Sequence, residues 1–292
     1  MTPLIADIML ASNVVDRAAH LRTDAAALAA LRADPRAFVI WANDGRLAVQ
    51  AGTLRTTPAS AVDGELTFLG IDPRQRPAFL ARTSADLDSE WLGLREIGPQ
   101  LDDAGGSLAV MAVALDHWRT RMRHCTQCGA ELDVVQAGWA LCCPADDAMH
   151  FPRTDPAAIV LVIGADDRVA LGRHVNWPEG RFSTFAGFVE AGESAEAAAI
   201  REVREESGLR IDPDRLQYLG SQPWPFPQSL MLGYHSHTTD MEFDLDPSEI
   251  AEARWFTRDE LRAAMADGSV TMPPELSISR RLIGHWLGSP TR

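Results

Sequence analysis

No lysine occurs among the 292 residues, which removes any chemistry that needs a lysine nucleophile or Schiff base. Every permanently cationic side chain able to hold a phosphate is therefore an arginine. Basic residues are outnumbered as well: 27 against 41 acidic ones give a formal charge of -14, which argues against a non-specific hold on duplex nucleic acid. Cysteine is scarce and bunched, with all four residues between Cys125 and Cys143. That is too few for a disulfide scaffold and points to metal. The longest apolar run, Leu108 to Leu115, falls far short of the roughly 20 residues of a membrane span. The amino terminus also lacks a basic segment followed by an apolar one, so the sequence predicts a cytoplasmic protein with no membrane contact.

What is present is ordinary globular composition, 46% hydrophobic and 23% charged, at a length that suggests about two domains. Over residues 1–120, strand-like runs (Ala37 to Ala42, Leu47 to Ala51, Glu65 to Ile71) alternate with turn signals at Asn43-Asp44-Gly45 and Val62-Asp63-Gly64. Helical patterns at Asp24 to Arg32 and Leu108 to Arg123 bracket them, and no catalytic constellation stands out. This predicts an α+β accessory domain. Residues 121–152 form a short loop-rich segment opening on Cys125-x-x-Cys128-Gly, a spacing that lets two thiolates reach one tetrahedral ion. Its second half is irregular, because Cys142 and Cys143 are adjacent. Asp146 or Asp147 is left to supply a fourth ligand, and a metal-free loop of reduced thiols is the alternative. From 153 to 292 the pattern changes again: Ala157 to Ile163 reads as a buried strand, Arg168 to Leu171 as its hairpin partner, and Ile278 to Leu287 as a closing helix.

The chemistry is concentrated in Gly187 to Leu209, "GFVEAGESAEAAAIREVREESGL". Ser194 suits an N-cap, the alanine-rich run a helix, and Gly208 its C-terminal cap. On that helix Glu202, Glu205 and Glu206 stand at i, i+3 and i+4, so three carboxylates share one face. Like charges at that spacing repel unless a cation lies between them, and Mg2+ or Mn2+ suits an all-oxygen set. A solvated acidic face is the alternative reading of these three residues alone.

The stretch resembles the Nudix box of pyrophosphohydrolases: Gly187, then Glu193, Arg201-Glu202-Val203, Glu205-Glu206 and Gly208-Leu209 fall at its spacing. The resemblance implies a Nudix α/β/α sandwich with a mixed sheet, preceded by a zinc-ribbon-like segment and the α+β domain. It implies that Glu202, Glu205 and Glu206 bind divalent ions bridging two phosphates, with Arg201 and Glu193 orienting them. Downstream, "SQPWPFPQSLM" from Ser221 to Met231 is similar to the segment by which NADH pyrophosphatases of this superfamily recognise nicotinamide dinucleotides. Its prolines, Pro223, Pro225 and Pro227, stiffen the backbone that presents Trp224 and Phe226 for stacking.

Carried over by position, Glu249 and the Ala186 carbonyl are further metal ligands, and Phe188 and Phe151 are ring contacts to substrate. Gln222 to Ser229, including Gln228, line the dinucleotide site, and Ser279 touches it from the last helix. Cys125, Cys128, Cys143 and Asp146 take the zinc positions, Asp146 standing where the family has its fourth cysteine.

The implied function is metal-dependent hydrolysis of the pyrophosphate bond of NADH or NAD+, giving AMP and nicotinamide mononucleotide, by a homodimer. Because the scissile bond is the same, removal of NAD caps from RNA 5′ ends belongs to the same reading, with Arg119, Arg121 and Arg123 as a guiding patch. The alternatives are a pyrophosphatase for ADP-ribose or another nucleoside diphosphate derivative, and a non-catalytic Nudix-fold module.

Overall fold

The computed structural model describes residues 8–12, 14–85 and 87–288, so the outer ends of the first and last expected domains, 1–7 and 289–292, lie outside the described residues. The chain divides into two compact units: one runs to Ala11 and resumes over Asp155–Pro223 and from Ser229 onward, and the other takes Ser12–Thr154 with Trp224–Gln228.

The unit built on Ser12–Thr154 begins with helix α1 (Ala25–Ala33), capped by the Asp24 carboxylate, which accepts from the Ala27 N–H at 2.9 Å. A mixed seven-stranded sheet follows, from β1 (Phe38–Asn43), β2 (Arg46–Gln50), β3 (Thr53–Leu54), β4 (Thr56–Pro58), β5 (Thr67–Ile71), β6 (Pro77–Arg82) and β7 (Glu90–Gly93). Its path is β3-β2-β1-β6-β5, with β1 and β6 parallel and their neighbours antiparallel.

After a short helix α2 (Leu94–Ile97) comes α3 (Asp103–Arg121), in which every residue from Gly106 to Val113 is buried. The longest apolar run is thus a core helix, apolar all round because it is covered all round. It starts five residues before the apolar pattern does, since the Asp102 carboxylate accepts the Gly105 N–H at 2.7 Å and caps what reads as a glycine loop. Among the described residues no helix is long and apolar enough to cross a membrane. The cysteine segment adds a three-stranded sheet of β8 (Asp133–Val135), β9 (Ala140–Cys142) and β10 (Met149–His150).

The other unit is a sandwich on a six-stranded mixed sheet of β11 (Asp155–Gly164), β12 (Val169–His174), β13 (Phe185–Phe188), β14 (Gln217–Trp224), β15 (Ser229–Thr238) and β16 (Ile250–Phe256). Central β11 runs parallel to β15 along its whole length, while its opposite edge is shared, Ala157–Val160 pairing with β13 and Val162–Ile163 with β12. Successive side chains of a strand point to opposite faces. Accordingly, Ile159, Leu161 and Ile163 pack with α5 (Arg258–Ala266) and α6 (Ile278–Leu287) through Leu261, Leu282, Ile283 and Trp286. On the other face Ala158, Val160 and Val162 pack against α4 (Ala195–Ser207) through Ala198, Ala199 and Val203. The expected α/β/α layering follows from that alternation, and the split edge of β11 sends β13 straight into the glycine-rich approach to α4.

Candidate active site and metal centres

The α4 helix begins where expected, its Ser194 hydroxyl accepting the Ala197 N–H at 3.1 Å, and ends at Gly208, whose φ of 74° is left-handed. A side chain at Gly208 would place its Cβ 2.6 Å from the Cβ of Asp244. With Ala198, Ala199 and Val203 buried against the sheet, the helix presents Glu202, Glu205 and Glu206 to the end of β13.

Arg201 organises these carboxylates. Its Nε and one terminal nitrogen donate to the two oxygens of Glu193, both at 2.9 Å. The other terminal nitrogen donates to Glu202 at 2.7 Å and to Glu205 at 2.8 Å, and the Phe188 carbonyl accepts a further bond at 2.9 Å. Hydrogen bonds from Arg201, with the Glu190 N–H, hold the Glu193 carboxyl down at about 2. The same bonds from Glu193, then Glu202 and Glu205, raise the Arg201 pKa.

Glu206 differs from its neighbours. It is only 7% exposed, and its sole hydrogen-bond donor among the described residues is the Ala186 N–H at 3.0 Å. Burial pushes its carboxyl up to about 8; the Ala186 N–H works against the shift, while the carboxylates of Glu202 and Glu249 add to it. Burial also raises Glu202. Exposed Glu249, just before β16, therefore acts electrostatically on the same cluster, although it is far away in sequence. Gly187 completes the cradle: a Cβ there would lie 2.0 Å from the carboxyl carbon of Glu202. Neighbouring carboxylates over a bare backbone, with Glu206 pushed towards its neutral form by burial and by Glu202 and Glu249, make a donor set suited to hard divalent cations. Phe188, next along β13, is 57% exposed.

The segment after β14 supplies an aromatic pair. Trp224 and Phe226 meet edge to face at 4.8 Å, with the Arg95 guanidinium 4.1 Å from the Phe226 ring centre and 5.4 Å from that of Trp224. The Phe226-Pro227 bond is cis and Pro225 is buried. Arg95, on α2, is a residue that sequence reasoning did not find, because nothing in its own neighbourhood marks it. Gln228 closes this turn and Ser229 opens β15 opposite Asp155. Phe151, after β10, is 55% exposed.

Gln222 and Ser279 are both wholly buried. The Gln222 amide donates to the Leu276 and Met9 carbonyls at 2.6 and 2.8 Å and accepts the Ile278 N–H at 2.8 Å. The Ser279 hydroxyl bonds the hydroxyls of Ser183 and Thr184 at 2.9 and 2.8 Å. Both side chains hold the entry to α6.

In the cysteine segment, one ligand atom from each of Cys125, Cys128, Cys143 and Asp146 lies within 4.8 Å of the others. Two copies of one turn bring them together. The Gly129 N–H donates to the Cys125 carbonyl and the Cys125 N–H to Ala130; the Asp147 N–H donates to the Cys143 carbonyl and the Cys143 N–H to Ala148, all at 2.8–2.9 Å. Left-handed Gly129 (φ 76°) matches left-handed Asp147 (φ 57°). Asp146 therefore occupies the place of Cys128 in the second turn, whereas Asp147 is the counterpart of the glycine. N–H groups of Cys128 and Gln127, with His150, bring the Cys125 thiol down to about 7, while the hydrogen bond to Asp146, with burial, raises Cys143 to about 12. Three sulfurs and a carboxylate at these separations suit a tetrahedral thiophilic ion.

Comparison with known proteins agrees with both centres. A profile of the NUDIX domain matches residues 153–276, and one of the NADH pyrophosphatase zinc ribbon domain matches residues 120–151. The chain is 42% identical over 293 aligned positions to NAD-capped RNA hydrolase NudC of Mycobacterium bovis, covering 93% of this chain and 92% of that protein. It is 40% identical to the Stutzerimonas stutzeri protein of the same name, over 70% of this chain and 75% of that one. It is 36% identical to human NAD-capped RNA hydrolase NUDT12, over 64% of this chain and 43% of that one.

Proposed function

The chain belongs to the NADH pyrophosphatase family of Nudix hydrolases, and on that premise we propose that it cleaves the pyrophosphate bond of NAD(H) and of NAD caps on RNA, releasing AMP or AMP-ended RNA and nicotinamide mononucleotide. The observation that carries the reading is Glu206 buried on the Ala186 N–H with Glu202 against Gly187 beside it, Glu202 and Glu249 acting on its charge, and Glu205 joined to Glu202 through Arg201. Glu202, Glu206 and Glu249, with the Ala186 carbonyl, would hold the divalent ions, with Glu205 either sharing one or supporting the other ligands from behind. When bound, Mg2+ or Mn2+ neutralises the two phosphates and lowers the pKa of the attacking water. Arg201, fixed by Glu193, keeps Glu202 and Glu205 aimed at the same point. The rings of Trp224, Phe226, Phe188 and Phe151 take the flat ends of the dinucleotide, with Pro223, Pro225 and Pro227 keeping the presenting turn stiff and Gln228 and Ser229 lining it. Gln222 and Ser279 support that site from inside the fold. The cysteine cluster with Asp146 holds a structural zinc, and the active species is a homodimer.

The test is product analysis. NADH incubated with the full chain and Mg2+ should give AMP and reduced nicotinamide mononucleotide in equal amounts, and chelation should stop the reaction. Release of free nicotinamide or orthophosphate, or turnover of ADP-ribose in preference to NADH, would overturn the reading.

A further inference from the structure

Two neighbouring arginines share one indole ring. The guanidinium of Arg22 lies 3.8 Å from the ring centre of Trp139, and that of Arg17 lies 5.5 Å from the same ring. Among the described residues neither guanidinium has a carboxylate partner, and the Arg22 Nε is buried with no acceptor. Several other arginines are paired with a carboxylate, as Arg76 is with Asp72, Arg82 with Asp116, Arg119 with Glu65 and Arg201 with Glu193. A chain at -14 has carboxylates to spare, so two neighbouring cations left unmatched call for an explanation.

The arrangement is held in place. The Trp139 ring nitrogen donates to the Phe68 carbonyl at 2.7 Å. Beside it, Gly138 (φ 91°) presses so closely on Thr67 that a Cβ would sit 2.2 Å from its hydroxyl oxygen. On the arginine side, Asp16 exchanges both backbone hydrogen bonds with Ile71 at 2.9 and 2.7 Å, its carboxylate accepts the Ala18 N–H at 2.8 Å, and a single 3-10 turn over Ala19–Leu21 leads to Arg22. Burial lowers the pKa of both arginines, and Arg17 lowers that of Arg22 further. A stacking brace on Trp139 needs only the nearer guanidinium; the second, at the outer end of the range for such a contact, repels the first. An anion between them removes both penalties. Planar guanidinium forks match phosphate oxygens, and arginine planes with an indole are the groups on which unpaired bases stack.

We propose that Arg17 and Arg22, braced on Trp139, bind phosphodiester groups of single-stranded RNA, the chain that follows the cap. The assignment rests on the reading that capped RNA is a substrate. The experiment is equilibrium binding of a fluorescent oligouridylate with a 5′ monophosphate to the full chain in chelator, across a series of salt concentrations. It compares wild type with Arg17→Gln/Arg22→Gln and with Arg17→Lys/Arg22→Lys, alongside turnover of NADH and of an NAD-capped oligonucleotide. Losing two phosphate contacts should flatten the slope of log K against log salt by about 1.4, at roughly 0.7 per phosphate of a single strand. In the glutamine variant, affinity and capped-RNA turnover efficiency should fall about tenfold while NADH turnover is unchanged, and the lysine variant should recover the slope. An unchanged slope overturns the site, as does an equal fall of NADH turnover and thermal midpoint in the glutamine variant, which would make the pair a structural brace. If wild type binds the oligonucleotide with the expected slope difference but leaves capped RNA intact, the site stands and the substrate reading falls.

Discussion

Replacing Glu206 with glutamine separates the electrostatic cost of the active site from its catalytic yield. The carboxyl is 7% exposed, and burial, with Glu202 and Glu249 adding to it, raises it from the ordinary value near 4.5 to about 8. A group whose pKa is raised on folding contributes stability that is complete below its unfolded value and is lost as pH climbs through its folded one. The Glu206 carboxyl should therefore take up to about 5 kcal/mol of stability from metal-free wild type between about pH 4.5 and 8, at roughly 1.4 kcal/mol per pH unit. That corresponds to a fall in thermal midpoint on the order of 10 °C. Glutamine keeps an oxygen for the Ala186 N–H but carries no charge, so the variant lacks this loss and its midpoint relative to wild type should climb over the same range. Excess Mg2+ should restore wild type at alkaline pH and do much less for the variant. Calorimetry in chelator and in Mg2+ reads both effects, and turnover with NADH should fall at least about a hundredfold because an amide is a poor ligand for a hard dication. A variant whose midpoint falls with pH as wild type's does, or one that turns over normally in saturating Mg2+, would refute the reasoning.

Two further outcomes are expected. Trp224→Ala removes a ring contact worth roughly 1.4 kcal/mol, so NADH turnover efficiency should drop about tenfold while ADP-ribose hydrolysis stays nearly constant, and an equal loss on both would make Trp224 structural. Zinc analysis should give at most one ion per chain; Cys125→Ser should lose it and lower the thermal midpoint, whereas Asp146→Cys should retain it, and a stoichiometric ion surviving Cys125→Ser would end the zinc-knuckle reading.

The catalytic helix was legible because its information is local. The spacing of Glu202, Glu205 and Glu206, the cap at Ser194 and the stop at Gly208 lie within one short stretch, and the structure keeps all of them. Strand β6 was harder to read, since Pro77 opens it and breaks the strand pattern even though β1 and β5 flank it on both sides; proline is tolerated there as the first residue. The choice between Asp146 and Asp147 was open in sequence, because it depends on which of the two takes the left-handed position of the turn. Arg95 was invisible for a different reason: it meets Trp224 and Phe226 only through tertiary contact. Gln222 shows the converse limit, a polar residue inside a recognisable motif whose side chain is spent on tying β14 to the start of α6.

The reach of Arg201 to Glu202 and Glu205 also bears on the order of events in the life of the chain. With a built-in counter-ion, two of the three helix carboxylates are compensated as soon as α4 has formed, so the helix does not wait for an ion to arrive. Glu206, beyond the reach of that counter-ion, is left among the described residues with a backbone N–H alone to answer its charge.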